Sequence, residues 1–142
     1  MKKESLTKSL DEILTPMAFK KKGNIWIAEN PILVKVVQLQ KSAFADFYYL
    51  NFGVKFKTLE TKDINMHIFN RLGSQIKNEN EEILSLLTIS EDDNKELFKK
   101  YVNEKIIAYF EELNTEEDVK NSIGKWTSAN TIPLVVKRYL NI

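Results

Sequence analysis

The sequence predicts an α+β domain: a leading helix, an antiparallel sheet of about four strands, and C-terminal helices packed on one face. Three observations carry this. Leu6, Leu10, Ile13 and Leu14 recur at helical spacing. Residues 47–57 alternate apolar and polar with a period of two. From Asp93 onward a wide apolar stripe marks an amphipathic helix that must cover something.

Ser5 is the expected N-cap of the first helix, and Thr15-Pro16 its end, because a residue before proline avoids the helical region. Lys20, Lys21 and Lys22 read as a turn. Gly23-Asn24 and Glu29-Asn30-Pro31 bracket a short strand with Trp26. Residues 32–41 and 47–57 form the next two strands, joined closely enough to be antiparallel neighbours. In the later strand Tyr48, Leu50, Phe52, Val54 and Phe56 share the core face. Tyr49, Asn51, Gly53 and Lys55 share the other. Residues 64–72 fit either a helix, through Ile64, Ile68, Leu72 and Ile76, or a strand, through Met66, Ile68 and Leu72.

The stripe after Asp93 uses Leu97, Phe98, Tyr101, Val102, Ile106, Tyr109, Phe110 and Leu113. Thr115 and Asp118 make a capping box for a short helix through Ile123, closed by Gly124. A last helix starts at Asn130 or Thr131, with Pro133 just inside, and carries Leu134, Val135, Tyr139 and Leu140. The expected core contains Leu10, Leu14, Leu50, Phe52, Val54, Phe98, Val102, Ile106 and Phe110. With no domain boundary visible, residues 1–142 read as one domain.

Composition narrows the function. Twenty-one Lys plus Arg oppose 20 Asp plus Glu, and a net charge of +1 gives no global attraction to nucleic acid or acidic membranes. Without cysteine there is no thiolate nucleophile and no cysteine-ligated zinc. No stretch approaches the roughly 18 apolar residues of a membrane span. The N-terminal residues lack the apolar run of a signal peptide, so a cytoplasmic location is expected. Glycine-rich phosphate loops, nucleophile elbows and paired-histidine zinc motifs are absent. The acidic run 90–94 lacks the ligand spacing and glycine of a calcium loop and reads as a helix N-terminus. No cofactor is expected.

The strand 32–41 poses a question: it begins β-branched and ends in Gln38 and Gln40. If Leu33, Val37 and Leu39 join the core, both amides fall on the open face. Pairing Gln38 with Asn51 and Gln40 with Tyr49 needs one antiparallel register, which also sets Val36 against Gly53. Asn51 beside Gly53 also suggests a bulge or a close backbone approach.

Several of these residues carry a resemblance. The stretch Phe19 to Asn24, Trp26, Gln38 to Ser42, and Phe47 to Gly53, with His67 and Arg71-Leu72 later, resembles an uncharacterised bacterial family, domain of unknown function 4304. The likeness spans roughly residues 5–75 and weakens beyond them. It implies a small α+β domain, implies no activity, and favours a strand over residues 65–71. Two departures stand out. Ala18 occupies the place of a glycine, and a tryptophan is missing after Arg71-Leu72.

Three candidate sites follow, each with a structural alternative. Gln38, Gln40, Tyr49 and Asn51 could form a hydrogen-bonding surface for a partner; otherwise they are a cross-strand amide ladder. Lys20, Lys21 and Lys22, with Lys35, Lys41 and Trp26, could hold a phosphate backbone while an aromatic stacks on a base; otherwise they are a solvated turn beside a core tryptophan. His67 and Arg71 could share a strand face and bind a carboxylate or phosphate, or His67 could act in catalysis. Asp63 is too far along a strand, about 13 Å, to orient that histidine. The resulting expectation is a non-enzymatic interaction module with another protein as partner, in one version an inhibitor or immunity-type protein. A neutral chain lacks the acidic surface useful against a basic nuclease. Weak nucleic-acid or nucleotide binding is the alternative, and an enzyme using His67 and Arg71 the third reading.

Overall fold

The computed structural model describes residues 1–62 and 65–142. Helix α1 (Lys3–Leu14) buries Leu6, Ser9, Leu10 and Leu14 on one face. It begins two residues before Ser5, with no side-chain cap, so Ser5 lies inside the helix and does not cap it. A single 3₁₀ turn, Thr15–Met17, carries Pro16, and Ala18 closes it in the left-handed region at φ 66°.

Five strands follow, not about four: β1 (Lys20–Lys22), β2 (Ile25–Glu29), β3 (Leu33–Lys41), β4 (Tyr48–Phe56) and β5 (Ile68–Arg71). Their spatial order is their chain order, and every neighbour is antiparallel. The extra strand is the lysine run. Gly23, at φ 64°, and Asn24 form a two-residue hairpin loop that sets Lys22 opposite Ile25. The ambiguous segment is a strand over residues 68–71. The suggested roles of Asp63 and Ile64 lie outside the described residues.

The β3–β4 register pairs Gln38 with Asn51, Gln40 with Tyr49 and Val36 with Gly53, as the alternation required. The core face follows: Leu33, Val37, Leu39, Leu50, Phe52, Val54 and Phe56 are all buried. Gly53 marks a close backbone approach. A β-carbon there would overlap the Ile68 carbonyl oxygen and come within 3.2 Å of the Met66 sulfur.

Helix α2 (Lys77–Leu87), unassigned from the sequence, buries Ile83, Leu86 and Leu87. The long amphipathic helix is α3 (Lys95–Val102), capped by Asn94, then a π-helical turn Asn103–Ile107, then α4 (Ala108–Glu111). The π turn buries the adjacent pair Ile106 and Ile107 ahead of Tyr109 and Phe110. Helix α5 (Glu116–Ser122) has the expected Thr115–Asp118 capping box, and Gly124 follows at φ 91°. Pro133 caps α6 (Leu134–Leu140) from outside rather than sitting within it. Leu134 and Val135 face outward, while Val136 and Leu140 reach the core.

The described helices serve one sheet face. Phe52 meets Tyr109 edge-on at 5.4 Å and Phe110 at 6.3 Å, and Phe110 also packs against Phe19 at 5.6 Å. The nine expected core residues are all buried. No described helix is long and apolar enough to cross a membrane.

Candidate functional site: a polar cluster on the uncovered sheet face

Asn51 is 1% exposed although no described helix covers its face. Neighbouring side chains bury it instead. Its amide nitrogen donates to the Gln40 Oε1 at 2.8 Å and the Gln38 Oε1 at 3.3 Å. Its Oδ1 accepts from the Arg71 Nε at 2.9 Å. The pleat and the register make this possible: Asn51 stands between Gln38 on β3 and Arg71 on β5. The Arg71 guanidinium lies over the Tyr49 ring at 3.8 Å and near Phe69 at 5.5 Å. Phe47 meets Tyr49 edge-on at 4.9 Å.

The cluster uses up Asn51 but not its neighbours. Among the described residues, the Gln38 and Gln40 amide nitrogens and the terminal nitrogens of Arg71 have no protein partner. These donors lie on one sheet face, held by a buried residue. The surroundings add charge. By register, Lys20, Lys22 and Lys55 share this face with Arg71, against Glu29, which pairs with Lys57 at 3.1 Å. The neutral total hides this segregation: residues 19–57 hold seven lysines against Glu29 and Asp46, and residues 73–142 hold thirteen carboxylates against nine cations.

The structure therefore unites Gln38, Gln40, Tyr49, Asn51 and Arg71. It does not bring in Trp26, Lys41 or His67. Trp26 is a core residue, 1% exposed, whose indole N–H donates to Asp11 at 2.8 Å. No face is left for a base to stack on. Lys21 lies over that ring on the helix side, away from Lys20 and Lys22. Lys41 braces the β3–β4 loop, donating to the carbonyls of Ala45 at 2.8 Å and Ser42 at 3.3 Å. Lys35 faces the helices and donates to the Phe110 carbonyl at 2.9 Å, and desolvation pushes its ammonium pKa down.

His67 and Arg71 do not form a joint site. His67 is fully buried and stacks on Phe56 at 5.6 Å. Its Nδ1 accepts from the Phe56 N–H at 2.9 Å, so the neutral ring carries its proton on Nε2, facing the Thr61 hydroxyl at 2.9 Å. Desolvation first, and the Lys55 charge second, pull its pKa down to about 4. Nδ1 is occupied by the β4 backbone and Nε2 by the Thr61 hydroxyl, which leaves neither for a substrate proton.

Sequence reasoning misses Phe69 and Met66, which flank the cluster, because the period of residues 64–72 is ambiguous. Gly53 is the available signal: a glycine in an apolar strand needs something close above it, and the Ile68 carbonyl and Met66 sulfur are what lie there.

Comparison with known proteins agrees with the resemblance and extends it. A search of curated proteins and a search of solved structures returned no match. A family model matches far more of the chain than its first half, taking in the sheet, α2 and the long C-terminal helix. The chain belongs to the family described as Domain of unknown function (DUF4304), whose model matches residues 10–124.

Proposed function

We propose that the protein is a non-catalytic binding module whose uncovered sheet face takes a protein partner with an acidic contact surface. The observation behind this reading is the set of outward donors around Asn51. Arg71, Gln38 and Gln40 present N–H groups already fixed by Asn51 and Tyr49, so binding costs little side-chain freedom. Carboxylates are the complementary acceptors, and an Arg stacked on an aromatic is a recurrent interface anchor. Lys20, Lys22 and Lys55 supply long-range attraction. An inhibitor or immunity-type role fits a target whose working surface is acidic. It does not fit a nuclease, whose substrate groove is basic.

The test uses three forms as bait: wild type, a sheet-face variant (Gln40→Glu, Lys55→Glu, Arg71→Glu) and a helix-side variant (Lys100→Glu, Lys120→Glu). A partner identified by mass spectrometry is then purified and its affinity measured. It should bind wild type and the helix-side variant alike, and the sheet-face variant at least about tenfold more weakly. Equal binding to all three forms would overturn the reading.

Single-stranded nucleic acid is the second reading, favoured by Phe69 at 40% exposure beside Arg71 and Tyr49 on this face. Lys20→Ala, Lys22→Ala and Lys55→Ala together should then flatten the salt slope of oligonucleotide binding, by about 0.7 for each phosphate no longer neutralised. A wild type that binds no oligonucleotide at low salt removes this reading.

A further inference from the structure

The two sheet edges differ. The β1 edge is Lys20–Lys22, and a row of lysines discourages another strand from docking. The β5 edge is Ile68–Arg71, with neither lysine nor proline. The Leu72 N–H donates to the Leu50 carbonyl at 2.8 Å, which fixes the phase of the ladder. Alternation then turns the backbone N–H and C=O of Phe69 and Arg71 away from β4, and no further strand stands there among the described residues. Alongside this edge, on the helix side, runs a cleft of about 420 Å³. Asn70, Gly73 and Ser74 form one wall, and Lys105, Lys125 and Trp126 the other. Two cations, Lys105 and Lys125, line it, and among the described residues no carboxylate does; Arg71 borders it as well, with its guanidinium on the opposite face over Tyr49. Glu79 and Glu112, which pair with the two lysines at 2.6 and 2.7 Å, lie outside the lining. Lys105 belongs to the π-helical turn, a distortion frequent at functional sites.

We propose that the free edge of β5 accepts an extended acidic peptide segment as a sixth antiparallel or parallel strand. Its backbone pairs with Phe69 and Arg71. Its alternate side chains enter the cleft, where carboxylates meet Lys105 and Lys125, while the intervening ones lie beside Phe69. Main-chain bonding gives the attachment and the cations give the choice of sequence. This surface is the sheet's edge rather than its open face, so the inference stands or falls independently of the proposed function.

The probe is a blocked hexapeptide of alternating glutamate and valine. Two N-methylated forms accompany it, one blocking the odd amides and one the even, together with a lysine–valine counterpart. Hydrogen exchange of individual amides is followed by NMR on the full chain. Phe69 and Arg71 should exchange freely in the unliganded protein and at least about tenfold more slowly with saturating peptide. One N-methylated form should lose binding and the other keep it, because only one set of amides faces β5. The lysine peptide should not bind, and Lys105→Glu with Lys125→Glu should reverse the preference. The proposal is overturned if the glutamate peptide fails to bind up to about 1 mM. It is equally overturned if binding leaves Phe69 and Arg71 unprotected, or if both N-methylated forms bind as the parent does.

Discussion

Asn51 is polar and buried, a combination that is costly unless every hydrogen-bonding group is used. Here both amide hydrogens and the carbonyl are engaged, by Gln40, Gln38 and Arg71. Asn51→Leu leaves those three groups without their common partner and should destabilise by about 1–3 kcal/mol in urea denaturation. Gln38→Leu should be nearly neutral, since Gln38 is half-exposed and its 3.3 Å hydrogen bond is the weaker of the two. A neutral Asn51→Leu would mean that the cluster does not hold the face together. His67 makes a pH-dependent case. Its ring stays neutral in the fold down to about pH 4, whereas the unfolded chain protonates it near 6.5. Between those values the unfolded state binds the extra proton, so stability falls as pH drops from about 6.5 to 4 and levels off below, up to about 3 kcal/mol in all. His67→Asn retains an acceptor for the Phe56 N–H and should remove that part of the slope. An unchanged slope in the variant would place the dependence on other groups.

At the scale of elements, the turn after α1 carries a conformational cost. Ala18 sits at φ 66°, where a β-carbon crowds the backbone, at the position where the family resemblance places a glycine. Ala18→Gly should raise stability by about 1 kcal/mol, less the greater entropy glycine has when unfolded. A lower thermal midpoint in that variant would contradict the strain. Gly53 is the opposite case: Gly53→Ala forces the Ile68 backbone away and should detach β5 from β4. These two positions also show how the sequence can be read. Period-two contrast in β4 carries its face assignment, and one register for two amide pairs carries β3. The segment 64–72 is opaque because a four-residue edge strand is too short for its period to declare itself. The lysine run reads as a turn because three exposed lysines have no alternation to display, and only the hairpin closed by Gly23-Asn24 makes them a strand. Of the candidate site, the amides and Tyr49 are legible from parity. Arg71 is matched by sequence with the wrong partner, since His67 leaves the alternation to bind Phe56.

For the whole molecule, sheet and helices have no separate cores. Phe52 on β4 touches Tyr109 and Phe110, Phe19 touches Phe110, and Trp26 is tied to α1 through Asp11. Trp126 in turn packs edge-on against Tyr109 at 5.8 Å. A shared core of this kind should unfold as one unit. The two tryptophans offer a direct check, because Trp26 reports on the sheet and α1, and Trp126 on the C-terminal helices. Trp26→Phe and Trp126→Phe each leave a single fluorophore. Within each variant, the fluorescence and far-ultraviolet circular dichroism transitions in urea should coincide. Phe52→Ala, placed in either background, removes a buried ring at the junction and should shift both reporters together by about 3–5 kcal/mol. It should do so without changing the steepness of the transition, which follows the surface exposed on unfolding. Were Trp126 to melt before Trp26, or Phe52→Ala to move only one of them, the C-terminal helices would be a separately folding layer. The sheet face would then have to keep its shape without them.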